Sequence, residues 1–182
     1  MDDDGIRTDR LLMRPLNLDD AEAIRSQIAD WEVMRWLSQP PWPYTLHDAV
    51  DFIRSCTPPD LTKTAFAITR EGALIGVIDV RVNRALLPQR GPGPNLGYWL
   101  GRAHWGRGYV TEAARGLLGF AFAAGIGETI YSGAFADNVA SLRVQEKLGF
   151  VRDDETLLYA KARGQEFRHI GTKLVRSAFR TA

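Results

Sequence analysis

Apolar positions change their period several times along the chain, and each change marks an element. Val110, Ala113, Ala114, Leu117, Leu118 and Ala121 recur at i, i+3, i+4, i+7, i+8 and i+11. This spacing predicts an amphipathic helix with one face on a core. Gly116 and Gly119 interrupt it, each at a cost of roughly 1 kcal/mol against Ala, which close packing on a sheet would justify. Gly125 and Gly127 end it. Upstream, Ile6 to Pro15 reads as a first strand stopped by proline. Asn17, Asp19 and Asp20 offer caps for a helix over 21–30, with Ala21, Ile24 and Ile28 inward. Trp31, Trp36, Pro40, Pro41, Trp42 and Pro43 predict a rigid loop, because proline breaks helices. A second helix fits 45–55, with Ala49, Phe52 and Ile53 on its inner face and Pro58-Pro59 beyond it.

Residues 65–69 and 74–82 alternate or run apolar around Gly72, which predicts a hairpin. Residues 83–94 carry Pro88, Gly91, Pro92, Gly93 and Pro94 and read as a mobile loop, and 95–100 as a short central strand. A strand over 129–134 follows the long helix. A short helix over 139–148 is capped by Asp137 or Asn138 and ended by Gly149. A strand begins at Phe150, and a last hairpin joins 157–161 to 167–175 near Gly164. The order βααβββαβαββ mixes a meander with a βαβ crossover, which makes the fold class α+β with a mixed sheet.

Composition narrows the function classes. The 182 residues suit one domain. Lys plus Arg is 23 against 22 Asp plus Glu, so no global charge points to nucleic acid or an acidic membrane. The chain has no run of about 18 apolar residues, and its acidic start lacks the basic and apolar parts of a secretory signal. A cytoplasmic protein with neither a nucleic-acid nor a membrane partner is expected. Cys56 is the one cysteine, which rules out an intramolecular disulfide and suits packing better than nucleophilic work. His47, His104 and His169 lack metal-ligand spacing, so no metal is expected.

Candidate chemistry sits between the central strand and the long helix, in Trp99-Leu100-Gly101-Arg102-Ala103-His104-Trp105-Gly106-Arg107-Gly108-Tyr109-Val110-Thr111-Glu112-Ala113. The first amides of a helix have no intrahelical partner, and the helix dipole makes that end positive. Glycines there let an anion approach the backbone, which makes a pyrophosphate site. No Gly-Lys followed by Ser or Thr completes a Walker A loop, and Thr111 stands where a dinucleotide fingerprint needs its third glycine.

The run Trp105 to Val110 instead resembles the coenzyme A pyrophosphate loop of the GNAT superfamily of N-acyltransferases. In that family a Gln or Arg, two residues, Gly, one residue and Gly or Ala form the loop. Trp105 followed by Gly-x-Gly-Tyr-x-Thr-Glu-Ala is similar to the ribosomal-protein N-terminal acetyltransferase branch in particular. Thr8 to Pro15 matches that branch's opening strand and Gly97 to Leu100 its central strand. Asn138-Val139-Ala140-Ser141 with Glu146 to Phe150 matches its last helix and the strand after it. The resemblance implies a single GNAT domain over 1–182. It implies a mostly antiparallel mixed sheet with a splayed central strand pair and about four flanking helices. The activity implied is transfer of an acyl group, by default acetyl from acetyl-CoA, directly to an amine acceptor: a protein N-terminus, a lysine or a small molecule. The family often forms dimers, which makes a homodimer one expectation.

Carried over residue by residue, the resemblance places Trp99, Leu100 and Gly101 beside the pantetheine arm. The amides of Gly106, Arg107, Gly108, Tyr109, Val110 and Thr111, after Trp105, would hold the pyrophosphate. Asn138 would bond the arm, a role compatible with a plain helix cap. Many relatives place a Tyr acid seven residues beyond that Asn; here Gln145 stands there and is no useful acid. Ser141 substitutes for it as hydrogen-bond donor to the thiol sulfur, its bland alternative being a second capping residue. Asn95 stands where relatives often carry a Glu base. Asp79 is the alternative base, against the reading of an exposed strand charge. Trp36 and Trp42 fall in the region that lines the acceptor pocket, as walls or as core. Arg81, Arg84 or Arg90 could meet the carboxylate of a succinyl donor. With Asn95 and Gln145 both non-ionisable, a coenzyme A-binding regulatory module without turnover also stands open.

Overall fold

The structure, a computed structural model, describes residues 5–56, 64–82 and 93–180. Residues 83–92 of the loop expected over 83–94, with Arg84 and Arg90, and the Pro58-Pro59 helix stop lie outside the described residues; Pro94, expected in that loop, opens β5. The chain begins with β1 (Ile6–Arg7) and β2 (Leu12–Pro15), then α1 (Ala21–Ile28), α2 (Trp31–Met34) and α3 (Leu46–Ser55). It continues through β3 (Ala65–Arg70), β4 (Ala73–Val82), β5 (Pro94–Leu100), α4 (Tyr109–Ala123), β6 (Thr129–Phe135) and α5 (Val139–Lys147). It ends with β7 (Val151–Ala160) and β8 (Gln165–Val175). The strands form one sheet in the order β1-β2-β3-β4-β5-β6-β8-β7. Among the described residues β5 and β6 run parallel and the other neighbours are antiparallel.

Three local differences from the sequence reading have identifiable causes. The expected first strand is a hairpin, because Thr8 and Leu11 close a turn on each other, the Thr8 N–H donating to the Leu11 carbonyl at 2.9 Å. The Trp- and Pro-rich segment opens with the single turn α2, because the Asp30 side chain caps it by accepting from the Glu32 N–H. This makes five α-helices among the described residues where about four helices were expected. The strand begun at Phe150 and the first arm of the last hairpin are one continuous strand, β7. It lies at the sheet edge with β8 as its neighbour, so exposed acidic residues fit within it.

Alternation in the strands divides the apolar side chains between two cores. On one face α4 packs Tyr109, Ala113, Ala114, Leu117, Leu118, Ala121 and Phe122 against Met13, Ile75, Ile78, Leu96 and Ile130. A Cβ at Gly116 would meet Met13 and Thr8 side-chain atoms at 3.0 Å, the close approach its place in the helix demands. On the other face α1, α2 and α3 pack Ile24, Ile28, Met34, Ala49 and Ile53 against Ala65, Ala67, Leu74 and Val77. Among the described residues no helix is long and apolar enough to cross a membrane.

Leu118 is fully buried at the centre of the α4 face. Leu118→Ala should lower unfolding free energy by about 2–5 kcal/mol, the range for a buried Leu truncation. The expected signature is a lower urea midpoint with an unchanged slope.

Candidate active site

The sheet comes apart at its parallel pair. β4 holds β5 from Gly76–Leu100 to Val82–Pro94, and β8 holds β6 from Thr129–Val175 to Phe135–His169. Between β5 and β6 the registered pair among the described residues is Asn95 with Tyr131. The Ser132 hydroxyl donates to the Leu96 carbonyl at 2.9 Å, and beyond it the strands diverge. Backbone groups alternate sides along a strand. The Gly101 N–H turns to the Ile75 carbonyl on β4, so the N–H and C=O of Tyr98 point into the gap. The Leu100 carbonyl is already taken by the Trp105 indole N–H at 2.8 Å. Of the residues expected beside an extended ligand, Trp99 and Gly101 therefore direct their backbone to β4; Tyr98, which was not among them, offers its backbone to the gap.

The start of α4 closes the wide end of this gap. Gly108 is its N-cap, with φ +78° and no side-chain cap. Gly106 has φ +74°, and a Cβ there would meet nothing within 4 Å. Two left-handed glycines, Gly106 in open space and Gly108 with Arg10 beside it, turn the chain into α4, whose first amides have no side-chain cap at the positive end of a 15-residue helix. Glu112, in the first turn, fixes this end to the β1–β2 turn. It accepts from the Arg10 N–H at 2.8 Å and the Thr8 hydroxyl at 2.6 Å, and it pairs with the Arg10 guanidinium. Arg10 also donates to the Arg107 carbonyl and lies over the Tyr109 ring, with Arg70 beside it. Trp105, Gly106, Arg107 and Gly108 are exposed, while Tyr109 is buried and Val110 and Thr111 are half-buried. Burial, Arg107 and Arg70 all depress the His104 imidazole. The surroundings are cationic and suit a pyrophosphate.

On the α4–α5 side the gap is faced by a hydrogen-bonded group. The Asn138 Oδ1 accepts from the Ser141 N–H at 3.1 Å, capping α5; the cap leaves the Asn138 amide N–H groups for a ligand. Ser141 is half-buried, and its Oγ lies 2.9 Å from the Tyr98 hydroxyl. Gln145, only 1% exposed, accepts from the Thr172 hydroxyl at 2.7 Å and donates to the Ser141 Oγ at 3.3 Å. Tyr98 did not emerge from the sequence. Its signal was present, a polar aromatic directly after Leu96-Gly97 and before Trp99-Leu100 in the central strand, but its partner is 43 residues away.

On the opposite face stands Asp79. It is not an exposed strand charge: it is 7% exposed. It pairs in register with Gly97 and meets the Arg81 Nε at 3.1 Å. A Cβ at Gly97 would lie 3.2 Å from its Oδ1, so the carboxylate leans over β5 where a side chain is missing. Burial raises the carboxyl from its ordinary 3.8 to about 6, with Arg81 opposing the shift. Arg81 also reaches toward the buried Cys56 thiol, which burial pushes up. Asn95 is half-buried two residues before Gly97.

Trp36 and Trp42 lie farther out. The Arg35 guanidinium covers the Trp36 ring at 4.6 Å, and Trp42 is exposed with its ring against Trp31 at 5.2 Å. Arg163, unremarked in the sequence, links this region to the gap. It stacks on Phe167, has Trp36 at 6.0 Å, and donates to Asp137 at 3.1 Å just ahead of Asn138. Among the described residues no group of three or more His, Cys, Asp or Glu is placed to hold a metal ion.

The family model for the Acetyltransferase (GNAT) domain matches residues 10–151. The chain belongs to the GNAT acetyltransferase family. An uncharacterized N-acetyltransferase, p20 of Bacillus licheniformis, is 25% identical over 162 residues, covering 87% of this chain and 88% of its own. The microcin C7 self-immunity acetyltransferase MccE, solved with acetyl-CoA and AMP, superposes with a TM-score of 0.79 at 20% identity. The match covers 95% of this chain and 97% of that one. The ribosomal-protein-S5-alanine acetyltransferase of Vibrio fischeri superposes with a TM-score of 0.75 at 20% identity, covering 96% and 97% of the two chains. At these identities the two solved structures establish the shared fold. The sheet with its divided parallel pair is thus a GNAT sheet, and the chain is an acyltransferase.

The raised Asp79 carboxyl has a signed consequence for this GNAT fold. Between about pH 4 and pH 6 the folded chain keeps the Asp79 proton that the unfolded chain has lost. The unfolded state then binds fewer protons, so this residue's contribution to stability falls as pH rises through that window. Urea midpoints measured across it should decline in the wild type relative to Asp79→Asn. Parallel profiles for the two proteins would show that the carboxyl titrates normally.

Proposed function

We propose that this acyltransferase takes acetyl from acetyl-CoA and passes it directly to a primary amine, either a protein N-terminal amine or the amine of a small molecule. The observation that carries the reading is the glycine-turned, uncapped N-terminus of α4 at the wide end of the β5–β6 gap. A helix end of that kind binds phosphate oxygens, and the diverging strands leave a slot whose backbone groups suit an extended amide-bearing arm. In this reading residues 1–182 act as one domain. The pyrophosphate sits on the amides from Gly106 to Thr111, the pantetheine runs past Tyr98, Trp99, Leu100 and Gly101, and Asn138 bonds the arm.

The chemistry then divides between the two faces. The amine nitrogen attacks the thioester carbonyl, a C–N bond forms, and the surplus ammonium proton must leave. Asp79 is the candidate base on that side, directly or through water, and its raised carboxyl range suits proton transfer near neutrality. The C–S bond breaks with its electron pair on sulfur. The Ser141 hydroxyl hydrogen-bonds that thiolate, which takes a proton from solvent on release. Asn95 contacts the acceptor as a hydrogen-bonding group, and Trp36 and Trp42 form the outer wall of the acceptor pocket.

Acetyl rather than succinyl is the favoured acyl group, because the described cation that could meet a succinyl carboxylate, Arg81, is already paired with Asp79. A donor thioester of intracellular metabolism is consistent with a cytoplasmic enzyme. Light scattering distinguishes a monomer from the homodimer common in the family.

Thiol release from acetyl-CoA, assayed with N-terminal peptides and small amines in parallel, tests the reading and assigns the acceptor class. Ser141→Ala should lower turnover by about 100-fold, the low end for loss of one preorganised hydrogen-bond donor to a developing anion, with acetyl-CoA affinity retained. Unchanged turnover in Ser141→Ala would remove this serine from the mechanism.

A further inference from the structure

Ser141 does not stand alone. Two polar side chains meet its hydroxyl, Gln145 one turn along the same helix and Tyr98 from β5, and a third, Thr172 on β8, holds Gln145. Thr172 on β8 donates to the Gln145 Oε1 at 2.7 Å. That bond fixes the orientation of the Gln145 amide, so its Nε2 turns to Ser141 and donates to the Oγ at 3.3 Å. Tyr98 on β5 approaches from the opposite strand, with its hydroxyl 2.9 Å from the Ser141 Oγ and 3.2 Å from the Ser141 carbonyl. Burial holds the phenol above its ordinary range, so it keeps its proton and remains a donor.

The donor and acceptor count leaves two arrangements for the serine proton. A hydroxyl oxygen accepts through two lone pairs and donates once. Gln145 fills one lone pair. The Tyr98 proton has two acceptors within reach without moving the ring. When it goes to the Ser141 carbonyl, the Ser141 hydroxyl can donate back to the phenol oxygen. When it goes to the Ser141 Oγ, both lone pairs are filled, and the serine proton must point elsewhere. Gln145 and Thr172 are buried and Ser141 is half-buried, so its open side is left for the serine proton.

We propose that Tyr98 is a positioning residue for the transfer step: its hydroxyl, with Gln145, directs the Ser141 hydroxyl as a single donor toward the sulfur of coenzyme A. The inference rests on the reading of Ser141 as the group that hydrogen-bonds the thiolate. It gives Gln145 a function that its lack of acidity conceals. Gln145 supplies no proton, but its donor bond prevents the serine oxygen from acting as a free acceptor. Chains of such bonds polarise one another in a low-dielectric setting, so the full group stabilises a thiolate better than an isolated serine. Tyr98 also directs its backbone into the gap, so one residue of β5 serves both the arm and the leaving group.

The test needs no acceptor. Coenzyme A bound to the wild type, Tyr98→Phe, Ser141→Ala and the double variant is titrated with pH, and thiolate is read by its ultraviolet absorbance. Subtraction of the unliganded protein removes Cys56. The wild type should hold the bound thiol below its value in free coenzyme A. Tyr98→Phe should return most of that depression, Ser141→Ala should return it, and the double variant should match Ser141→Ala. Once an acceptor is in hand, Tyr98→Phe should cost about tenfold in turnover, the upper end for one lost hydrogen bond between neutral groups, with coenzyme A affinity within about twofold.

A wild-type thiol value in Tyr98→Phe would overturn the inference and leave the Ser141 reading intact. A shift in the double variant beyond that of Ser141→Ala would also overturn it, because Tyr98 would then act independently of the serine. A wild-type thiol value in Ser141→Ala would instead fail the Ser141 reading. Gln145→Met, which keeps volume and removes the donor, should move the thiol in the same direction as Tyr98→Phe. It provides the same test if the phenylalanine variant is unstable.

Discussion

Backbone N–H and C=O groups must be paired, and the divergence of β5 from β6 is where this sheet departs from that rule. Each of the two strands is tied along its length to its outer neighbour, β5 to β4 and β6 to β8. The strands share a registered pair at Asn95 and Tyr131 and the Ser132 bond to Leu96, and then part. An unmade backbone hydrogen bond costs about 1–3 kcal/mol when buried. The fold keeps this cost low by opening the gap toward the start of α4 and by using the Trp105 indole to satisfy the Leu100 carbonyl. The remaining groups are available to an extended amide-bearing ligand.

The same divergence separates the chemistry into two sides. Strand alternation sends Tyr98 to the α4–α5 face, with Ser141 and Gln145, and sends Gly97 and Trp99 to the face of Asp79. A neutral hydrogen-bond donor group therefore lies on one side of β5 and a buried carboxylate with a raised proton affinity on the other. An acyl transfer that must remove a proton from the attacking amine and stabilise a leaving thiolate needs this kind of asymmetry. Gly106 and Gly108 are exposed and leave the backbone accessible before α4, while Gly97 makes room for the Asp79 carboxylate and Gly101 for the Gln27 side chain.

What the sequence revealed follows from the range of the interactions. The α4 periodicity and the glycine turn before it are local, and both stand where the spacing predicted. The divided sheet was reached through resemblance, not through any periodicity. The split of the first strand was hidden because its cause, the Thr8–Leu11 turn held by Glu112, spans about 100 residues of sequence and leaves no local mark beyond Thr and Asp. The turn of α2 was masked by the tryptophans and prolines around it, although Asp30 was a readable cap. Asp79 was visible as a charge in an apolar run, but its burial depends on Gly97 in the next strand. Tyr98, Gln145 and Thr172 were the least legible, since a hydrogen-bonded group drawn from two strands and a helix has no spacing to read.

The central claim is that the start of α4 and the β5–β6 gap together hold coenzyme A, with the pyrophosphate as the main anchor. Calorimetric titration of the protein with coenzyme A and, separately, with pantetheine tests it directly. The account predicts that coenzyme A binds at least about 100-fold more tightly, roughly 2.7 kcal/mol, because pantetheine has no phosphate for the helix end. Equal affinity for the two would contradict it and place the anchor elsewhere in the gap.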